Sequence, residues 1–293
     1  KSFQVFDEAI TYTALQFFTK YQQERIRFLF AAGGYQDIVN VEWKDVENTL
    51  CYNNLPAEET WQLIPTKHRQ ILSSISSDTQ KLGSIVRAIS QGLISGAFWI
   101  FANTGLASGK LLHTPKLQIR KSPPYEIEIE DKITLDLATG DHINRYQSVD
   151  TNLKIIFPYS KDGKAKLLEP SKMKKNFPKC WRFLKTYEDF LRNRDGGKLD
   201  DDYWYRYSRN QNLDKQPLPK LMIAGTAQNI LCTVDEKGEI AANDKRVYSV
   251  FSSSLKELWY IAGILNAPPI SFFFKRIARP KAGGYFDIET QFL

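Results

Sequence analysis

Short apolar runs separated by glycine and proline occupy residues 82–159 and constrain the possible folds more than any other feature of the sequence. β-Branched and aromatic residues are frequent in these runs, which read LGSIVRAISQGLISGAFWIF, KLLHTPKLQI, YEIEIEDKITLDL and NLKIIFPY. Segments of this length and composition, bounded by turn residues, are typical of β-strands. The periodicity then changes, because residues 171–194 place apolar side chains at helical spacing after Pro178. This alternation predicts a mixed α/β (α+β) fold.

Further segments extend the mixed pattern towards both ends of the chain. In the first 50 residues, AITYTALQFF and ERIRFLF predict strands and WKDVENTL a short helix. Residues 66–82, TKHRQILSSISSDTQKL, predict a helix that connects two bodies. Later, KLMIAGT and RVYSVFSS predict strands, and ILCTVDEKGEIAA predicts a hairpin that turns at Lys237 and Gly238. Ser254 and Glu257 have the spacing of a capping box that opens a helix over LKELWYIAGILN.

Composition excludes several classes of protein. Hydrophobic residues make up 42% of the 293 residues, enough to bury a sizeable core. The apolar stretch GAFWIFA is far shorter than the roughly 18 residues of a membrane span, so we expect no membrane partner. Three widely spaced cysteines and three histidines predict reduced thiols in the cytoplasm and no zinc site. Because the chain begins with Lys rather than Met, we expect a fragment of a longer protein.

The positive charge is concentrated in one short segment. The chain carries a net charge of +7, and residues 172–198 alone carry nine Lys and Arg against three acids, a local net of +6. Within that segment, steps of four, three and three residues separate Lys175, Lys179, Arg182 and Lys185. This spacing predicts a cationic row on the helix side that faces away from Trp181 and Leu184. A solvated helix face explains such a row, but so does a surface that tracks the phosphates of a nucleic acid.

Two further basic segments contain aromatic residues. Lys275, Arg276, Arg279 and Lys281 lie between SFFF and GGYF, where Gly283 and Gly284 would permit a close backbone approach. Arginine can make two hydrogen bonds to a guanine edge, and DDDYWYRYSRN places two arginines among aromatic rings. The candidate DNA-binding residues are therefore Lys175, Lys179, Arg182, Lys185, Arg206, Arg209, Gln228, Asn229, Arg276, Arg279 and Lys281. We expect Trp181, Trp204, Trp259 and Cys180 to be core residues.

Two catalytic interpretations are weaker. Ser122-Pro123-Pro124-Tyr125 has the form of the loop that holds the target base in amino-group DNA methyltransferases. No buried strand and no glycine-rich donor loop precedes it, so a proline turn accounts for it better. Glu130 and Lys132 form half of a magnesium-dependent nuclease pattern, which alternating charge on a strand also explains. The alternatives to DNA recognition are a self-sufficient nuclease or methyltransferase and a protein-interaction scaffold with a basic face.

The order of several segments resembles a known family. QVFDEAITYTALQFF, residues 4–18, resembles the last strands of the catalytic domain in type IIG restriction–modification enzymes and related adenine-specific DNA methyltransferases. LGSIVRAISQGLISGAFWIF resembles the opening of their target recognition domain. The resemblance continues in GDHINRY, LKIIFPY, FPKCWRFLKTYEDFLRNRD, LPKLMIAGT, LWYIAGILNAPPISFFF and GGYF. This ordered set is similar to a TaqI-like C-terminal specificity domain, although LHTPKLQIRKSPPYEIE has no clear counterpart.

The resemblance implies an organisation and a function. Residues 1–62 would be the C-terminal strands of a Rossmann-like methyltransferase domain, residues 63–82 a connector helix, and residues 83–293 a mixed-sheet target recognition domain. The fragment alone would be non-catalytic and without cofactor. Its role would be to recognise a sequence in double-stranded DNA for a catalytic domain of the same parent chain. That domain would use S-adenosylmethionine to methylate adenine at N6, and a fused nuclease would require Mg²⁺.

Overall fold

The molecule combines several β-sheets with helices that pack against them. The structure is a computed structural model that describes residues 16–21, 23–31, 35–51, 63–76, 80–115 and 123–290. Helices and strands alternate along these ranges, and the sheets are mainly antiparallel, so the predicted α+β fold is confirmed. Within these ranges no helix has the length and apolar character that a membrane crossing requires.

The secondary structure is made of short elements. The α-helices are α1 Tyr35–Val39, α2 Thr66–Ser76, α3 Leu82–Ile85, α4 Phe98–Phe101, α5 Pro170–Asn176, α6 Pro178–Lys185, α7 Glu188–Arg192, α8 Arg194–Gly197, α9 Leu255–Leu265 and α10 Pro268–Ile277. The strands are β1 Arg25–Arg27, β2 Thr49–Cys51, β3 Ala88–Gln91, β4 Ala102–Gly105, β5 Leu111–His113, β6 Tyr125–Ile127, β7 Thr134–Ala138, β8 Leu153–Ile156, β9 Lys220–Ala224, β10 Thr226–Ala227, β11 Cys232–Asp235, β12 Ile240–Ala242, β13 Val247–Phe251, β14 Arg279–Pro280 and β15 Phe286–Asp287.

A six-stranded sheet organises the first core. Its strand order is β12-β7-β8-β4-β5-β6, and all neighbours are antiparallel except β12 and β7. Apolar residues of the sheet, among them Leu137 and Ile155, pack with Phe101 of α4, Leu184 of α6 and the aromatic segment 204–207. The first core therefore joins the predicted strand region to the basic helical segment.

A four-stranded antiparallel sheet organises the second core. Its strand order is β11-β9-β13-β3, and it packs against α9 and α10. The predicted helix start is confirmed, because Ser254 Oγ accepts a hydrogen bond from the Glu257 N–H at 3.2 Å. The second half of the predicted capping box differs, because the Glu257 carboxylate accepts from the Ser253 N–H at 3.1 Å rather than from that of Ser254. Two smaller sheets, β10-β15-β14 and β1-β2, complete the strand pairings.

Small residues join the two large sheets. A third cluster contains Ala138 of β7, Ala224 of β9 and Ala242 of β12, all fully or almost fully buried. A Cβ atom on Gly92 would lie 2.3 Å from the Ala242 carbonyl oxygen, so only glycine fits at this crossing. The backbone of Leu93 also donates to the Ala242 carbonyl at 2.9 Å. The two cores are therefore in direct backbone contact.

The predicted hairpin at Lys237 and Gly238 is wrong. Strand β11 pairs with β9 in the four-stranded sheet, whereas β12 pairs in parallel with β7 in the six-stranded sheet. The chain therefore crosses from one sheet to the other within residues 236–239.

A buried ion pair holds this crossing. The Asp235 carboxylate accepts from Lys220 Nζ at 2.7 Å, and the two side chains are 5% and 0% exposed. It also accepts hydrogen bonds from the backbone N–H groups of Gly238, Glu239 and Ile240 at 3.0–3.2 Å. Lys220 Nζ donates further to the carbonyls of Gln216 and Leu218. The carboxylate therefore accepts hydrogen bonds from N–H groups that would bond to the opposite strand in a hairpin.

Other boundaries also differ from the sequence predictions. A helix is present in the predicted segment as α2, Thr66–Ser76, but a short helix, α3, stands where the next strand was predicted, and α4 precedes β4. Short apolar runs do not distinguish a buried helical turn from a strand, which explains both differences. In AITYTALQFF, residues 9–15 lie outside the described ranges and residues 16–18 are not in a strand. ERIRFLF contributes β1, and WKDVENTL forms a 3-10 helix, Trp43–Asp45, followed by β2.

Candidate nucleic-acid interface

The predicted cationic row is divided between two helices. Lys175 lies on α5, whereas Lys179, Arg182 and Lys185 lie on α6. Phe177 interrupts the helix between them with φ −134° and ψ 54°, and Pro178 begins the new helix. The helical spacing is therefore interrupted between Lys175 and Lys179, and the four cations do not form one straight row.

Carboxylates occupy the beginning of α6. Glu130 accepts hydrogen bonds from the backbone N–H groups of Lys179 and Cys180 at 2.8 and 3.0 Å. Anionic groups are favoured at this position because the first N–H groups of a helix have no internal partner. Lys179 Nζ lies 2.7 Å from Glu128, and this contact raises the Lys179 pKa. The Lys179 ammonium therefore already has an exposed carboxylate partner.

Lys185 lies on the tryptophan side of α6, contrary to the prediction. Its Nζ forms an ion pair with Glu188 and lies 5.9 Å from the centre of the Trp204 ring. Trp204 in turn packs against Trp181, with ring centres 5.4 Å apart. Residues separated by four positions lie on the same helix face, so Lys185 lies on the face of α6 that carries Trp181.

Lys175 and Arg182 are exposed cations of the predicted set that have no acidic partner among the described residues. Both side chains are exposed, and neither has a hydrogen bond or ion pair to any residue in the described ranges. These two residues are free to contact an anion without losing an internal partner.

The arginines of the aromatic loop are held by nearby acids. Arg206 forms an ion pair with Asp201, and Arg209 lies 3.1 Å from Asp195. Both pairs are partly exposed. An incoming phosphate can therefore compete with the carboxylates.

Arg194, which the sequence analysis missed, anchors this loop. Its guanidinium is buried and donates to four carbonyl oxygens at 2.7–2.9 Å, those of Leu191, Ser95, Trp204 and Arg206. No carboxylate among the described residues forms an ion pair with it, and burial lowers the Arg194 pKa to about 10. The only sequence signal is its position at the end of a predicted helix, where a basic residue usually stays exposed.

The predicted residues of the second core form one surface. Lys275 Nζ donates to Asn229 Oδ1 at 2.9 Å, and Gln228 Nε2 donates to the Gly283 carbonyl at 3.0 Å. The cations at the ends of the β14–β15 hairpin pair with acids, Arg279 with Glu289 at 3.6 Å and Lys281 with Asp287 at 2.8 Å. The structure thus brings together residues that are about 50 positions apart in sequence.

Arg276 is more constrained than its neighbours. Its guanidinium lies 3.5 Å from the centre of the Phe272 ring and donates to the Phe272 carbonyl at 2.8 Å. Its Nε lies 3.4 Å from His68 Nδ1 on α2. Burial lowers the Arg276 pKa. Arg276 therefore joins α2 to α10 and presents less charge to solvent than the prediction assumed.

Glu130 and Tyr125, from the two catalytic alternatives, make contacts within the fold. Both Glu130 oxygens accept from the α6 backbone. Ser122 lies outside the described ranges. Tyr125 begins β6, and its hydroxyl lies 2.9 Å from the Tyr187 hydroxyl. Across the residues that the structure describes, no three His, Cys, Asp or Glu side chains come together as metal ligands.

A buried polar chain that the sequence does not reveal continues from Tyr187. The Tyr187 hydroxyl lies 2.8 Å from His113 Nε2, and His113 Nδ1 lies 2.7 Å from Asn103 Oδ1. The Asn103 amide nitrogen donates to backbone carbonyls, so its oxygen must accept from His113. His113 is fully buried, which lowers its pKa to about 4. The imidazole is therefore neutral and ties β5 to the end of α6.

The expected core residues agree only in part with the structure. Trp204 and Cys180 are buried as predicted, and burial raises the pKa of the Cys180 thiol. Trp181 is half-buried. Trp259 is 36% exposed, and its Nε1 donates to Glu236 at 2.7 Å, so its assignment to the core is wrong. The helical spacing in α9 did not distinguish Trp259 from the buried Leu258 beside it.

Comparison with known proteins gives one informative similarity. No family model matches the chain. The chain is similar to the type II restriction enzyme and methyltransferase RM.Eco57I of Escherichia coli, with 22% identity over 291 residues. The match covers 93% of this chain but only 28% of that protein. The chain thus spans less than a third of the length of the relative it matches.

Proposed function

We propose that this chain is the DNA-recognition part of a restriction–modification enzyme. The observation that carries the proposal is the similarity to RM.Eco57I along 93% of the chain. The net charge of +7 and the exposed side chains of Lys175 and Arg182 support it, because a polyanion is attracted to such a surface.

The surface residues would bind DNA in two ways. Lys175 and Arg182 are free to contact phosphates directly. Lys179, Arg206, Arg209, Arg279 and Lys281 would exchange exposed carboxylate partners for phosphates, since exposed ion pairs contribute only about 0–1 kcal/mol. Phosphate contacts position a protein on the duplex but do not read its sequence. Specificity then depends on polar side chains that reach the base edges.

The finer assignments belong to the same proposal. The chain would act as a TaqI-like specificity domain of a type IIG enzyme, with residues 83–293 as the recognition unit. A catalytic domain in the same parent chain would bind S-adenosylmethionine and methylate adenine at N6, after the base rotates out of the duplex. Mg²⁺ would be required if a nuclease is fused to it.

Salt-dependent DNA binding tests the proposal. The dissociation constant of the protein for a labelled duplex is measured by fluorescence anisotropy between 50 and 300 mM salt. Each phosphate contact contributes about 0.9 to the slope of log K against log salt. We expect the Lys175→Ala and Arg182→Ala variants each to reduce this slope by about 1 and to weaken binding to all duplexes equally.

The control is Lys256→Ala, which removes an exposed cation from α9 on the second core. Its slope and affinity should match those of the unmodified protein. A protein that does not bind duplex DNA, or binds it with no dependence on salt, would contradict the proposal and favour the interaction scaffold.

A further inference from the structure

Two exposed residues lie between strongly buried neighbours. Residues 228–231 connect β10 to β11, and the first two of them, Gln228 and Asn229, are exposed. Ala227 before them and Ile230 after them are 4% and 0% exposed.

Hydrogen bonds on the carboxyl side hold this loop in place. The Ile230 N–H donates to Ser271 Oγ at 3.0 Å, and Arg145 donates to the Ile230 carbonyl at 3.3 Å. Two residues later, the Asn266 amide pairs with both the N–H and the carbonyl of Cys232. Side chains from three separate segments thus fix the backbone that follows Asn229. Such preorganisation is what a specificity site requires.

Neighbouring groups fix the orientation of both amides. Gln228 Nε2 donates to the Gly283 carbonyl, which can only accept a hydrogen bond. Asn229 Oδ1 accepts from the Lys275 ammonium, which can only donate. Each side-chain amide therefore uses one of its two polar groups for a contact within the protein, the nitrogen in Gln228 and the oxygen in Asn229. Gln228 Oε1 and the N–H groups of Asn229 have no partner among the described residues.

The groups that remain are an acceptor on Gln228 and a donor on the adjacent Asn229. In the major groove, adenine presents an N6 donor beside an N7 acceptor, and a neighbouring acceptor and donor match this edge. We propose that Gln228 and Asn229 together read one A·T base pair, with Gln228 Oε1 accepting from N6 and Asn229 Nδ2 donating to N7. This inference rests on the proposed DNA-binding function.

The surrounding charges suit this role. Lys275 holds Asn229, and Arg279 and Lys281 lie on the hairpin whose Gly283 carbonyl holds Gln228. Arg279 and Lys281 side chains are 70% and 50% exposed, and their acidic partners are weak competitors for a phosphate. If the phosphates of a duplex contact these cations, the groove of that duplex would lie against the Gln228 and Asn229 amides.

Selection from random duplexes tests the inference. The protein is incubated with a pool of duplexes that carry random base pairs, and the bound fraction is sequenced. We expect an A·T preference at one position of the enriched site. The Gln228→Ala and Asn229→Ala variants should reduce that preference by roughly 5- to 150-fold, the discrimination that a matched base contact provides. Preferences at the other positions should persist.

Asn229→Asp gives a sharper test. Its carboxylate keeps an acceptor for Lys275 but replaces the outward N–H donors with an acceptor. The preference at the same position should move away from adenine towards cytosine, whose N4 is a donor. Asn176→Asp on α5 is the charge control: the same added charge should weaken overall affinity without changing any base preference.

The outcomes separate the two proposals. If the unmodified protein binds no duplex, the proposed function fails. If it enriches a defined site and every Gln228 and Asn229 variant enriches the same site with the same preferences, the base-reading inference is overturned while DNA binding stands.

Discussion

Replacing Lys220 by methionine should destabilise the protein strongly, because it breaks the buried ion pair at the crossing between the two sheets. The Lys220 side chain is fully buried, and its ammonium donates to Asp235 and to the carbonyls of Gln216 and Leu218. Methionine fills a similar volume but donates no hydrogen bond. The substitution would leave a carboxylate that is 5% exposed without its counter-charge.

The expected loss follows from these contacts. Removing one partner of a buried pair typically costs about 3–5 kcal/mol. Three backbone N–H groups still stabilise the Asp235 carboxylate, which places the loss near the lower end of that range, about 3 kcal/mol. The Asp235→Ala variant should lose more stability, because the Lys220 ammonium and all three N–H groups would lose their acceptor together.

Urea unfolding followed by tryptophan fluorescence measures both losses. Lys215→Met is the matched control, since Lys215 is only half-buried and contacts Asn212 at 3.1 Å. We expect it to change the free energy of unfolding by less than about 1 kcal/mol. A Lys220→Met variant as stable as this control, or an Asp235→Ala variant less damaging than Lys220→Met, would refute the reasoning.

Three further predictions concern other buried groups. The Arg194→Met variant should lose about 4 kcal/mol of stability, because four carbonyls lose their donor, and thermal unfolding measures this loss. Between pH 6.5 and 4 the unfolded chain binds a proton that native His113 does not, so the free energy of unfolding should fall by about 3 kcal/mol as the pH falls through this window. Urea unfolding across that range should show the fall, and a His113→Gln variant should lack it. The Gly92→Ala variant should lose at least about 2 kcal/mol, since its Cβ would meet the Ala242 carbonyl at 2.3 Å; equal melting temperatures for variant and unmodified protein would contradict this.

Local patterns in the sequence predicted elements but not their partners. The Ser254–Glu257 spacing located the start of α9, because a helix cap depends on residues only three positions apart. Strands β7 and β8 were likewise evident from β-branched runs. The turn after Asp235 was misassigned because its direction depends on Lys220, which lies 15 residues earlier on another strand. Periodicity contains no information about such a distant charge.

In the candidate interface, too, local features are visible in the sequence but tertiary partners are not. Charge density drew attention to the segment 172–198, yet the sequence did not reveal which cations have acidic partners. Glu128 contacts Lys179 from 51 positions away, and Asp195 contacts Arg209 from 14. The orientation of the Gln228 and Asn229 amides depends on residues about 50 positions further along the chain. These features arise from tertiary contacts alone.

The passage of the chain between the two sheets has a practical consequence for engineering. Strand β3 belongs to the four-stranded sheet, β4 to β8 belong to the other, and β9, β12 and β13 alternate between them. A chimaera that joins one half of this protein to half of a relative would therefore cut through both cores at once. The proposed recognition role is better probed by transplanting single loops, such as the two amides and their supporting hairpin, onto an intact scaffold.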